Sequence, residues 1–74
     1  MSRQSELFDR AAECERLTQE ASDTGKQTAF RMLREMWIAL ANESSSMSSQ
    51  MLAKEIAAID ELQATIIGSP EISK

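Results

Sequence analysis

LREMWIALANE, residues 33–43, carries the chain's single Trp, Trp37, just ahead of a run of serines. Leu33, Trp37 and Leu40 are spaced by 4 and 3, and Phe30 extends the row upstream by 3. That spacing is one face of a 3.6-residue helix. Ala29, Met36 and Ala41 flank the row. The fold turns on what this face meets. It either closes the chain's own core or anchors a partner.

Upstream, ASDTGKQ (residues 21–27) breaks the pattern. Asp23 is a good N-cap, with Thr24 as the first helical residue and Gly25 in the first turn. The alternative places Gly25 at the C′ position of the preceding helix. The Trp37 helix is then predicted over about 24–43. Before it, Leu7, Ala11, Cys14, Leu17 and Ala21 recur at 4, 3, 3 and 4, and Phe8 and Ala12 widen the stripe. This predicts a first helix over about 3–22, capped by Ser2 or Ser5. Glu6 and Arg10 sit at i, i+4 on its outside, in the favourable order.

Downstream, SSSMSS (residues 44–49) ends one helix and begins another, because serine competes with the helical backbone for its hydrogen bonds. Ser48 caps the predicted third helix, about 48–67. Leu52, Ile56, Ile59 and Ile66 recur at 4, 3 and 7, with Gln63 in the slot between and Leu62 beside the stripe. Gly68 reads as C′, Pro70 prevents continuation, and residues 69–74 read as a flexible tail. The prediction is all-α: an antiparallel helical hairpin plus a third helix, forming a single three-helix domain over residues 1–68. Two arrangements satisfy it. One is a closed three-helix bundle; the other is a dimeric helical bundle whose third helix docks on a second copy. Ser44–Ser49 serves either as a hinge.

Seventy-four residues make one domain at most. A chain this short buries only roughly 60% of its unfolded surface, and its core seldom supplies more than about 3–5 kcal/mol. Cys14 is the only Cys, so no intrachain disulfide helps, and without His a four-ligand zinc site is not expected. The net charge of −4, from 12 acidic and 8 basic residues, argues against nucleic-acid and anionic-membrane partners. The N-terminal MSRQSELFDRAAECERL lacks the apolar run of a signal peptide, and no stretch approaches a membrane span. A cytoplasmic home is expected.

Candidate chemistry is thin. Cys14 has no base nearby; Glu13 and Glu15 beside it raise a thiol pKa rather than lower it, so it reads as packing, the alternative being a redox or intermolecular-disulfide role. Asp9, Glu13 and Glu20, and the adjacent Asp60 and Glu61, read as solvated faces, since neighbours at i, i+1 point apart on a helix. The first helix carries five acidic and three basic residues. Lys26, Arg31 and Arg34 make the second slightly basic and are better matched to that acidic helix than to a phosphate. No catalytic activity, metal or cofactor is expected.

RAAECERL, EASD and LREMWIALANE together resemble a group of short helical proteins of α-proteobacteria, from rhizobia and relatives. Ala12, Glu13, Cys14 and Leu17 match the first part of that pattern, Ala21 and Asp23 its turn, and Leu33, Trp37, Leu40 and Ala41 its second helix. The match covers residues 10–43. Members often carry Pro after the turn Asp, where this chain has Thr24. The resemblance implies a bacterial helical protein and brings no activity with it.

The expected function is therefore a small non-catalytic protein–protein interaction module. It would self-associate, as a homodimer, or bind a larger protein. The partner-binding residues would be Phe30, Leu33, Met36, Trp37, Leu40, Leu52, Ile56, Ile59 and Ile66, with Trp37 the central anchor. Some of Met32, Met36, Ile38, Met47, Met51 and Ile67 would stay exposed. The alternative is a small acidic regulator that titrates a nucleic-acid-binding protein or an enzyme through its acidic first helix.

Overall fold

The computed structural model describes residues 3–68. Helix α1 spans Arg3–Glu20, α2 Thr24–Glu43 and α3 Ser49–Gly68, with a short 3-10 helix at Ser44–Ser46 before α3. No strand occurs among the described residues. The third helix folds back on the hairpin of its own chain, so the closed bundle is the arrangement observed.

The turns follow from their caps. Asp23 is extended (φ −96°, ψ 124°), and its carboxylate accepts the Gly25 N–H at 3.2 Å. Gln27 donates its side-chain amide to the Ala21 carbonyl at 2.7 Å, holding the chain as it leaves α1. α1 therefore stops at Glu20, two residues before the predicted end, because the chain must reach an extended Asp23. Gly25 lies in the first turn of α2 and is not a C′ residue. Ser48 caps α3, its hydroxyl accepting the Met51 N–H at 3.1 Å. Ser5 lies inside α1 and cannot cap it; Ser2 is outside the described residues. Gly68 is the last residue of α3 and lacks the positive φ of a C′ glycine. Pro70 and the tail 69–74 also lie outside the described residues.

Side-chain bonds give the helix directions. Gln4 donates to the Ala41 carbonyl at 3.1 Å and Arg34 pairs with Glu15 at 3.2 Å, so α1 and α2 are antiparallel. Trp37 bonds Gln63 across α2 and α3, while α1 and α3 run parallel through Arg10–Asp60 and Cys14–Gln63. The Arg34–Glu15 pair bears out the expected attraction between the basic and acidic helices. Both partners are substantially exposed, so its net worth is small.

The core sits mostly between α1 and α2. Leu7, Ala11, Cys14 and Thr18 are buried from α1, and Phe30, Leu33, Trp37, Leu40 and Ala41 from α2. From α3 only Leu52 and Ile59 are fully buried. Burying two such side chains contributes about 3–6 kcal/mol at most. α3 is thus the most lightly held helix. The radius of gyration is 13.0 Å, above the about 11 Å of a compact domain this long. An elongated bundle of thin helices leaves apolar side chains uncovered.

In α1 the buried row departs from the predicted stripe. Thr18 takes the place expected of Leu17, which is only partly buried with Ala21, while Phe8 is 42% exposed and Ala12 is exposed. Leu7, Ala11 and Cys14 set the buried direction, and a residue four beyond Cys14 stays nearer that line than one three beyond. Thr18 fits because its hydroxyl is donated to the Cys14 carbonyl at 2.8 Å.

Candidate protein-binding site

Trp37 is fully buried in this chain's own core, which answers the question raised by residues 33–43. Phe30, Leu33, Leu40, Leu52 and Ile59 are buried with it, and Ile56 and Ile66 pack partly buried against them. These eight pack into the chain's own core, and of them Leu40 and Ile59 also reach the surface groove between α2 and α3 that a partner could touch. The α1 and α3 stripes together are enough to cover the α2 stripe within one chain. Of the nine residues assigned to a partner, only Met36 stands on the exposed surface, at 39%.

The interior around Trp37 holds a polar cluster that the hydrophobic pattern did not reveal. Trp37 donates its indole N–H to Gln63 Oε1 at 3.1 Å, and the Cys14 thiol donates to the same oxygen at 3.5 Å. Arg10 lies over the indole ring, its guanidinium carbon 5.0 Å from the centroid, and makes a two-pronged bond to Asp60, with Nη2 to Oδ2 at 3.2 Å. Arg10 thereby abandons the predicted pairing with Glu6. The fork geometry of Asp60 and the ring face together offer more than one exposed carboxylate on the same helix. Asp60 is not the purely solvated residue expected. Gln63 could have been found in the sequence, since a polar residue in an apolar slot must find internal partners. No buried side-chain polar atom lacks a partner among the described residues.

This cluster is poorly suited to chemistry. Burial pushes the Cys14 thiol above its ordinary pKa. The Trp37 N–H opposes that shift, but that proton is committed to Gln63. The Glu13 charge adds to the rise and the Arg10 charge offsets some of it. A thiol so held is a packing residue. Among the described residues no group of His, Cys, Asp or Glu is placed to hold a metal ion. Among the described residues no helix is long and apolar enough to cross a membrane.

The exposed apolar surface lies elsewhere. Met36, Ala39, Leu40 and Glu43 of α2 and Glu55, Ala58, Ile59 and Leu62 of α3 line a groove of about 510 Å³. Buried Leu40 and Ile59 form its floor, and Met36 and Leu62 (43% exposed) stand on its walls. Met32 and Met51, at 61% and 57%, continue the apolar surface on α2 and α3. Ile67 is exposed as expected, at 51%, whereas Ile38 and Met47 pack partly buried against the core. The α2 helix offers a second row here: Met32, Met36, Ala39 and Glu43 recur at 4, 3 and 4. In α3, Met51, Glu55, Ala58 and Leu62 do the same.

The charged surfaces are largely self-paired. Arg16 pairs with Glu13 and, at 2.8 Å, with Glu20. Those carboxylates hold Arg16 above its ordinary pKa, Glu13 first through its hydrogen bond. Arg34 is shared between Glu15 and Glu35. Lys26 lies beside Leu17, Glu20 and Phe30 at a shallow pocket. Compared with known proteins, the chain matches no family model, no curated protein and no solved structure.

Proposed function

We propose that this chain is a non-catalytic helical interaction module that receives an apolar helix of another protein chain in the α2–α3 groove. The observation that carries this reading is the pair of exposed walls, Met36 and Leu62, over a floor of Leu40 and Ile59. Methionine adapts its shape to a partner, and a groove between two helices accepts a third helix by ridge-in-groove packing. Recognition would follow the helix-in-groove mode, read by apolar residues at i, i+3 and i+4. Glu43 and Glu55 at the groove favour a partner helix carrying Lys or Arg beside its apolar row. The acidic face of α1 is a weaker candidate for recognition, because Glu13, Glu15 and Glu20 are already paired with this chain's own arginines. We place the module in a bacterial cytoplasm. The resemblance of residues 10–43 supports the source, and one buried free thiol suits a reducing compartment.

The test is crosslinking in cells from a photoreactive residue at position 36, with the same residue at exposed position 12 as control. A discrete crosslinked product from 36 and none from 12 is expected. Equal products from both positions would sink the groove as the binding face. Light scattering on the purified chain then tells whether the product contains a second copy or a foreign protein.

A further inference from the structure

The connection between α2 and α3 is already close to a helix. Ser44 is helical (φ −61°, ψ −30°), Ser44–Ser46 form a 3-10 turn, and Met47 is where the backbone becomes extended (φ −104°, ψ 147°). No Gly or Pro lies between Gly25 and Gly68. Rotating the backbone at Met47 and its neighbour Ser48 into the helical region would join α2 and α3 into one helix over 24–68, roughly 68 Å long. The apolar rows would stay in phase along it. At about 100° per residue, Leu52 falls about 60° around the axis from Trp37 and Ile59 about 40°. A fused helix would therefore carry the buried residues of both halves on one side.

In that opened form the hairpin loses the cover of its own α3, and Trp37 and Cys14 lose Gln63. The surface that fits the vacated place best is the α3 of a second copy, because it brings the identical contacts. We propose that two copies of this chain exchange their third helices through the Ser44–Ser49 hinge, the fused helices running antiparallel. The second copy's Asp60 then bonds Arg10 and its Gln63 accepts from Trp37 and Cys14. The exchange costs few contacts to begin, since α3 fully buries only Leu52 and Ile59. It also replaces two helix ends, now served by serine hydroxyls at Ala41, Glu43 and Met51, with continuous backbone bonding.

The test uses the full chain refolded at high concentration and sized by light scattering. Ser49→Pro places proline at the first position of α3, where it is tolerated, and biases Ser48 toward extended backbone. In a fused helix the same proline clashes with the preceding turn. Wild type is expected to yield a species of twice the monomer mass that persists on dilution, and Ser49→Pro, helical by circular dichroism, to yield monomer alone. A wild type that stays monomeric, or a dimer that survives Ser49→Pro, overturns the proposal. Should Ser49→Pro not fold, the triple variant Met47→Ala, Ser48→Ala, Ser49→Ala decides. Enrichment of the dimer over wild type supports exchange, and no enrichment overturns it. A dimer formed through the α2–α3 groove behaves oppositely: it is lost in Met36→Lys with Leu62→Lys and indifferent to Ser49→Pro.

Discussion

Gln63 ties the three helices together, because one carbonyl oxygen accepts from both Trp37 and Cys14 across two helix boundaries. Replacing it by Leu keeps the size but leaves the indole N–H without an acceptor. An unmade bond of that kind costs about 1–3 kcal/mol. We expect Gln63→Leu to lower stability by that amount in urea denaturation. In the Trp37→Phe background the same change should cost much less, since no indole donor remains. Cys14 supplies a second prediction, through pH. Its folded thiol is held above the ordinary value by burial, so the folded chain keeps its proton longer than the unfolded chain does. The stabilisation is complete below the ordinary thiol range of about 8.5 and is lost as pH rises through the raised folded value. Unfolding free energy should therefore fall with pH above about 8.5 in wild type, and fall less in Cys14→Ala. Parallel curves for the two proteins would refute the assignment.

At the scale of the helices, Gly25 is a position where the sequence can be improved. It has no positive φ, and an added Cβ would meet only the Asp23 carboxylate, at an ordinary 3.7 Å. Gly25→Ala should stabilise the chain by about 0.4–1 kcal/mol, mainly by restricting the unfolded chain. Thermal denaturation checks it, and a lowered melting temperature would contradict the cap geometry. Hydrogen exchange tests the ranking of the helices: amides in the middle of α3 should exchange faster than those of α1 and α2, because α3 buries the fewest side chains. The three helices and both caps were legible in the sequence because Asp23, Ser48 and the apolar period act locally. The rotation of α1 was not. Helical phase favours Thr18 after Leu7, Ala11 and Cys14, but a threonine carries no apolar signal, so the hydrophobic pattern points to Leu17 instead. Arg10 was misread for another reason. Glu6 is visible at i−4, whereas Asp60 and the Trp37 ring come near only once α3 has folded back. The candidate site was legible least of all. An apolar row shows that a helix is covered, but not whether the cover belongs to its own chain. The eight inward residues and the outward Met36 therefore looked alike until α3 was placed.

For the whole molecule, the governing quantity is how little 74 residues can bury, and hence how much a second chain can add. A core of this size supplies about 3–5 kcal/mol, so any partner that binds only the folded form shifts the folding equilibrium visibly. Self-association would make the melting temperature rise with protein concentration. The groove variant Met36→Lys with Leu62→Lys separates the routes. Both side chains are exposed, so each replacement should change monomer stability by only about 0.5 kcal/mol. Lysine suits the site because Glu43 and Glu55 already line it. If the groove receives a second copy, the concentration dependence disappears in this variant. If helices are exchanged, it persists. Ionic strength gives an independent reading of the same contact. Burial of Met36 and Leu62 is strengthened by sulfate, whereas binding through the acidic face of α1 is screened by any salt. A melting temperature that does not vary with concentration leaves the groove for a foreign helix, and binding of that helix should then be retained in sulfate and lost in the lysine variant.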